Sequence, residues 1–371
     1  MSIARTDNST LGRWWWTVDK WTLAALVILA TMGVVLSMAA SPPVAERIGL
    51  EPLHFVQRQA VYLLLALILM FGVSLMSPVG ARRLAIVVFL GAVVLLILTL
   101  AVGIEIKGAR RWLNLSSFSL QPSEFAKPAL AVVCAWLFAA NRLGAEIPGN
   151  FISFCLYVLV AGLLLLQPDV GQALVVSAVW FSQWFLAGLP MIWVAVAFAV
   201  GIAGLTAAYF IFPHVASRID RFIDPAAGDN YQTDKAMEAF MNGGLWGRGP
   251  GEGTVKVNLP DAHADFILAV AGEEFGLIVC LIIVAIFVFI VLRGFVKLMQ
   301  TTDLFVVIAA TGLLVQFALQ ALINMGSTVN LMPTKGMTLP FISYGGSSLL
   351  ALAFGMGILL ALTRTQLGVK V

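Results

Sequence analysis

Ten stretches of the chain stay apolar over the roughly 20 residues that an α-helix needs to cross the hydrocarbon core of a bilayer. They predict helices near 21–41, 59–77, 84–103, 124–140, 151–167, 169–188, 191–212, 265–292, 304–325 and 345–363. Three segments between them differ in character: 104–123 reads IEIKGARRWLNLSSFSLQPS, 213–264 forms one large loop, and 326–344 reads GSTVNLMPTKGMTLPFISY. If the ten helices alternate in direction, these three polar, Gly- and Pro-rich segments emerge on the same face. Loops positioned by a rigid scaffold usually carry binding groups, so that face is the expected seat of function.

Composition narrows the class. Charged residues make up 11% of the chain and hydrophobic ones 60%, against about 25% and 45–50% in ordinary globular proteins. The expected fold is all-α, a polytopic integral membrane protein of about ten helices. It divides into a tail over 1–20, a membrane domain over 21–364 and a second tail over 365–371. The first apolar run follows Trp14–Trp16 and Lys20 and lacks a small-residue cleavage site, so it reads as a retained helix. A net charge of +3 with scattered bases does not suit nucleic acid. Cys134, Cys155 and Cys280 fall inside apolar runs without CxxC or Cys/His spacing, which favours core packing over zinc.

An even helix count puts both termini on one side, and the bias of Lys and Arg toward the cytoplasm selects it. Cytoplasmic termini place Arg5, Arg13, Lys20, Arg82, Arg83, Arg142, Arg293, Lys297, Arg364 and Lys370 inside, against only Asp7, Asp19, Glu146 and Asp303. The outer face then takes most of the acids, although its long loop also carries bases.

Charges at the ends of spans are costly, so each needs a reason. Lys107, Arg110, Arg111 and Trp112 precede QPSEFAKP, in which Glu124 and Lys127 stand at i,i+3 on one helix face. Pro128 withdraws the amide that would have bonded the Glu124 carbonyl, leaving a polar notch. This cluster suits either an interfacial anchor with a self-satisfied ion pair or a cationic rim for a pyrophosphate. Asp169, in QPDVGQ, sits where it would cap a helix. In LPDAHADF, Asp261 after Pro260 also reads as a cap, whereas Asp265, four residues on and expected on the same helical face, has no such structural excuse. A carboxylate balanced between desolvation and nearby cations can serve as a general base. Glu273 and Glu274 read as structural partners further along the helix, and His263 as a rim residue that hydrogen-bonds. Lys335 in PTKG is a second phosphate candidate, and LPFISYGGSS, with Ser343, has the small residues of close helix packing. The run GGLWGRGPGEG over 243–253 lacks the GK[ST] of a P-loop.

KGARRW with QPSEFAK, QPDVG, the GDNYQ to GGLWGRG loop, LPDAHADFILAVAGEE and PTKGMTLPFISYGGSS occur in the order found in the SEDS family of bacterial cell-wall proteins (shape, elongation, division and sporulation). The resemblance spans nearly all of residues 20–364, and the last motif resembles the division branch. One departure is Ala264, where the family usually has Thr before the Asp.

The resemblance implies a peptidoglycan glycosyltransferase that joins lipid II disaccharides outside the inner membrane during septal wall synthesis, with the essential carboxylate at Asp265. Arg110, Arg111, Arg248 and Lys335 are then candidate contacts for the lipid pyrophosphate, and Glu124 and Lys127 shape the pocket. Asp169, His263 and Ser343 complete the expected substrate-binding set. The resemblance also implies a class B penicillin-binding protein and other division proteins as partners. No cofactor is required, although a divalent cation such as Mg²⁺ or Mn²⁺ would suit a pyrophosphate. Two other readings use the same residues: a lipid II transporter whose path is lined by Glu124, Lys127, Asp169, Glu273 and Glu274, and a noncatalytic division scaffold.

Overall fold

The computed structural model describes residues 9–106, 109–115, 118–224 and 230–365. Ten apolar helices build its body: α2 (Lys20–Arg47), α3 (His54–Ser74), α4 (Pro78–Val102), α5 (Pro122–Arg142), α6 (Gly149–Leu166), α7 (Val170–Leu186), α8 (Met191–Ile211), α11 (Ile267–Leu298), α12 (Leu304–Thr328) and α13 (Gly346–Leu362). Eight are long and apolar enough to span a bilayer; α7 and α13, at 17 residues each, are shorter. The ten expected spans are therefore present, most with ends within a few residues of those read from the hydrophobic runs. The largest differences are at α2, which continues through Pro42 and Pro43 to Arg47, at α3 and α4, which begin five or six residues early, and at α11, which continues to Leu298.

The segments expected to be irregular carry structure of their own. A short helix α1 (Thr10–Thr17), N-capped by Ser9, precedes α2 and tucks the buried Trp14 against α3, where its indole N–H donates to Ser74 Oγ at 2.9 Å. The 104–120 segment folds as a three-stranded antiparallel meander, β1 (Ile104–Ile106), β2 (Ala109–Leu115) and β3 (Phe118–Leu120). In β2 the buried Ala109 and Leu113 fall on one face and the exposed Arg110 and Asn114 on the other, the period-two alternation of a half-covered strand. Within the large loop lie α9 (Pro213–Ile223) and α10 (Tyr231–Gly243).

The centre of the bundle is α5, α12 and α13, whose small residues let backbones approach closely. A Cβ on Gly355 of α13 would lie 3.2 Å from Pro128 of α5, and one on Gly357 would lie 2.8 Å from the Met70 carbonyl of α3. Buried amides tie the helices where lipid offers no water: Gln183 Nε2 donates to the carbonyls of Ala131 at 2.7 Å and Ile308 at 3.2 Å. By contrast α8 buries only Ala208 and stands at the edge of the bundle. Cys134 and Cys280 are buried as expected, but Cys155 is exposed on the outer side of α6.

Both ends of the described chain meet on one face. The Thr365 amide donates to the Thr17 carbonyl at 2.9 Å, and Arg364 reaches Thr17 and the Leu75 carbonyl. Nearby, Arg293 of α11 holds Asp19 at the head of α2 through two forked contacts of 2.5 and 2.7 Å, reinforced by Thr22. The meander, α9, α10 and the 329–345 segment lie on the opposite face, called the site face below.

Helix α11 is broken at Gly276, whose φ of 79° is left-handed. The break frees the carbonyls of Glu273 and Glu274 to accept from the amides of Arg248 and Gly249, while the Leu277 amide donates to the Gly244 carbonyl at 2.9 Å. The glycine-rich run is thus spliced into a helix, and a Cβ on Gly276 would lie 2.4 Å from the Gly247 amide nitrogen. Left-handed geometry costs a residue with a side chain roughly 1–2 kcal/mol, and overpacking adds about 1–3 kcal/mol. Gly276→Ala is therefore expected to lower the melting temperature in detergent clearly. Gly162→Ala on α6, where a Cβ meets nothing within 4 Å, should leave it equal or raised. Circular dichroism melts of the two variants check the contrast.

Candidate functional site

Asp265 is not on a helix. It lies in a tight turn just before α11, wound on the Asp261 carbonyl, which accepts from the amides of Ala264 at 3.0 Å and Asp265 at 3.1 Å. Asp261 takes a φ of 51°, which Asp tolerates better than most residues, so the expected shared helical face of Asp261 and Asp265 does not form. Pro260 and the left-handed Asp261 turn the chain sharply and delay the helix until Ile267.

Packed elements clamp this turn from several sides. Asn324 of α12 donates through Nδ2 to the Asp265 carbonyl at 2.9 Å and to the Met337 carbonyl at 2.7 Å. Ser343 Oγ donates to the Ala264 carbonyl at 2.6 Å and accepts from the Leu339 amide at 2.8 Å. The Tyr344 amide donates to the His263 carbonyl at 2.9 Å. Ser343, expected to touch substrate, is instead buried and holds the turn. Asn324 was not legible as a functional residue, because a lone Asn in an apolar run carries no spacing signal.

The Asp265 turn lines a cavity of about 540 Å³, within the range of small-ligand sites. Its wall includes Glu124 of α5, Gln172 of α7, Gln320 of α12, and Arg58 and Tyr62 of α3. Arg58 and Tyr62 stand one turn apart on a single helix face; Arg58 fell just outside the expected start at 59, and Tyr62 within it carried no spacing signal. Gly336 also lines it, and a Cβ there would lie 3.1 Å from Asp265 Oδ2, so the 335–337 backbone passes directly over the carboxylate. His263 lies at the rim as expected, stacked on Phe55 at 4.3 Å. Burial pulls its imidazole below the ordinary histidine range against the opposing charge of Asp261, and Nδ1 is buried without a partner. Beneath the cavity Lys127 donates to Glu124 at 3.0 Å and to Gln172 at 2.8 Å, and Gln172 donates back to Glu124 at 2.7 Å. Glu124 thus faces the cavity, while Lys127 lies behind it.

A second cavity of about 280 Å³ lies across the 335–337 segment, bounded by α7, α9 and α12. Its walls are largely apolar, with Val170, Leu174, Leu205, Ile323 and Met332, but its polar end gathers Arg111, Arg218 and Lys335. Met337 lines both cavities. Asp169 sits behind the cations: its carboxylate caps α7 through the Gln172 amide and binds Lys335 at 2.6 Å and Arg111 at 3.7 Å. Arg111 also donates to the carbonyls of Gln167 and Pro168. Burial pushes the Asp169 carboxyl up, but Lys335 and Arg111 together outweigh it and hold it below the usual range. Burial also pulls the Lys335 ammonium down, against the attraction of Asp169. Gly171 is what admits Lys335, since a Cβ there would fall 2.0 Å from its Nζ.

Of the expected phosphate contacts, only Arg111 and Lys335 come together. Arg110, on the other side of β2, pairs with exposed Glu105 at 3.4 Å. Arg248 is tied to the carbonyl and side chain of Asn242 and lines neither cavity. Lys107 lies outside the described residues. Arg218, which no motif marked, joins the cluster because α9 places it one turn from His214 on one face. A reading of 213–264 as plain loop hides that spacing. Among the described residues no three His, Cys, Asp or Glu side chains converge on a possible metal site.

The chain is similar to known proteins over most of its length. A protein from Caulobacter vibrioides named "Probable peptidoglycan glycosyltransferase FtsW" is 46% identical over 368 residues, covering 99% of this chain and 94% of that one. Its namesake from Escherichia coli O157:H7 is 34% identical, with 90% and 82% covered. Among solved structures, a chain from "Structural coordination of polymerization and crosslinking by a peptidoglycan synthase complex" superposes with a TM-score of 0.77 at 28% identity, covering 93% of this chain and 97% of that one. The rod shape determining protein RodA of Thermus thermophilus does so at 0.67 and 28% identity, with 94% and 97% covered. The family model described as cell cycle protein, spanning FtsW, RodA and SpoVE, matches residues 20–367, and the chain belongs to that family.

Proposed function

We propose that this chain is a peptidoglycan glycosyltransferase that polymerises lipid-linked disaccharides, with Asp265 as the general base and the second cavity as the seat of the departing lipid diphosphate. The observation that carries the reading is the division of labour across one strand of backbone. On one side of residues 335–337 a carboxylate faces a polar cavity; on the other, Arg111 and Lys335 pair with Asp169, and Arg218 joins them at the end of an apolar cavity. Three positive charges against one negative leave an excess that a diphosphate would neutralise, while the apolar walls suit its hydrocarbon chain.

The chemistry follows. Asp265 takes the proton from the acceptor sugar hydroxyl, the oxygen forms a bond to the donor anomeric carbon, and the bond from that carbon to the phosphate oxygen breaks. The electrons of that bond leave on the diphosphate, where Arg111, Lys335 and Arg218 stabilise the developing charge. Main-chain bonds fix the Asp265 turn, so no reorganisation of the backbone is needed to present the base. The groups a transport path would require are instead engaged: Glu273 and Glu274 hold the large loop, and Glu124 pairs with Lys127.

The remaining assignments belong to the same proposal. The chain works in the inner membrane at the division septum with both termini cytoplasmic, in keeping with the bases gathered on the terminal face. It acts with a class B penicillin-binding protein and other division proteins, a reading supported by its likeness to a chain of a peptidoglycan synthase complex. EDTA titration of the reaction decides whether Mg²⁺ or Mn²⁺ joins the diphosphate.

Purified protein, with and without its transpeptidase partner, is expected to make glycan chains from lipid II in detergent. Asp265→Asn should lose about 100-fold or more of that activity; normal polymerisation by the variant overturns the base assignment. Wild type that makes no polymer yet moves lipid II across vesicles establishes the transporter. Arg218→Ala and Lys335→Ala should each lower kcat/KM for lipid II by about 10-fold or more, while Arg110→Ala should stay near wild type in the same assay. The depressed Asp169 pKa fixes the sign of a pH effect. Its ion pairs contribute stability at and above the unfolded carboxyl value of about 4 and lose it as pH falls through the lower folded value. Asp169→Asn should therefore melt below wild type at pH 6, with the gap closing only below about pH 4.

A further inference from the structure

A third cavity, of about 360 Å³, opens on the site face between α9, the first turn of α10, Pro260 and residues 330–334. It adjoins the cation cavity, with Arg218, Pro333 and Thr334 lining both. Its other polar lining includes Arg221, Gln232, Thr233 and Asn330, and none of its described lining residues is an acid. Among the described residues the side chains of Arg218, Gln232, Asn330 and Thr334 make no hydrogen bond or ion pair. Burial, followed by the neighbouring Arg111 and Arg221, pulls the Arg218 guanidinium below its ordinary range, against the attraction of Asp169 and Asp265.

We infer that this basin binds the peptide arm of the lipid-linked precursor through its carboxylate and amide groups, and so makes the enzyme selective for peptide-bearing substrate. The inference rests on the glycosyltransferase reading above. With the diphosphate held by Arg111, Lys335 and Arg218 and the donor sugar turned to Asp265, the peptide arm on that sugar has a path past Arg218, which is also a wall of this basin. Among the described lining residues there is no carboxylate to accept from sugar hydroxyls, and the acceptors present are side-chain amide and hydroxyl oxygens. Two guanidinium groups with side-chain amides and hydroxyls instead match an anionic chain rich in amide groups. The Arg221 Nε donates to the Ser217 carbonyl at 2.9 Å, which sets the guanidinium along its own helix at the basin wall.

The test compares three lipid-linked disaccharides with wild-type protein: one with the intact peptide, one with its carboxylates amidated, and one cut back to the first amino acid. A charge-assisted hydrogen bond distinguishes such substrates by about 10-fold or more. Wild type is expected to prefer the intact form by that factor in kcat/KM, with most of the loss appearing in KM. Arg221→Ala and Gln232→Ala should bring the ratio toward one, and Arg221→Lys should retain part of it. Equal use of all three substrates by wild type overturns the inference without any variant, and so does a ratio that survives both alanine substitutions. Absence of polymer from every substrate, with folded wild-type protein, overturns the glycosyltransferase reading instead.

Discussion

The Glu273 carboxylate, fully buried in α11, accepts from the amides of Thr254, Val255 and Lys256 and from Asn242 Nδ2 at 2.7–2.9 Å. A buried charge without partners would be prohibitive in such surroundings, and this one is satisfied only when the large loop is folded onto the helix. The next residue, Glu274, binds Lys256, whose ammonium also donates to the Ala39 carbonyl of α2. Two adjacent acids thereby fasten the loop, α2 and α11 together immediately upstream of the Asp265 turn. The site depends on this fastening because the chain runs without a break from Lys256 to Asp265.

The same constraint organises the rest of the site face. Polar groups near a bilayer must find partners within the protein, and here most of those partners are backbone atoms of irregular segments. Asn324, Ser343 and Arg111 each bond carbonyls that no helix or sheet would satisfy. The bonds hold non-helical chain at the ends of the spans, where it separates two cavities by a single strand of backbone. Two glycines keep the crossing open: Gly336 lets the chain pass over the Asp265 carboxylate, and Gly171 leaves room for Lys335. The family assignment supplies the reaction, and the 335–337 backbone sets the Asp265 cavity apart from the one that gathers Arg111, Arg218 and Lys335.

Hydrophobic run length alone determined the number and approximate limits of the ten spans, because the bilayer thickness fixes what a spanning helix must be. The motifs also singled out Asp265, Asp169, Arg111 and Lys335, since charges at the ends of apolar runs need a reason to be there. What the chain's linear order could not convey was which bases share a cavity. Arg110 and Arg111 are neighbours in sequence, yet strand alternation sends them to opposite faces, and Arg218 joins Lys335 from more than a hundred residues away. Ser343 and Arg248 have the chemistry of substrate contacts, but the first is engaged by the backbone around it and the second by the carbonyl and side chain of Asn242. Such assignments depend on directions of side chains and on distant packing, which only the tertiary structure decides.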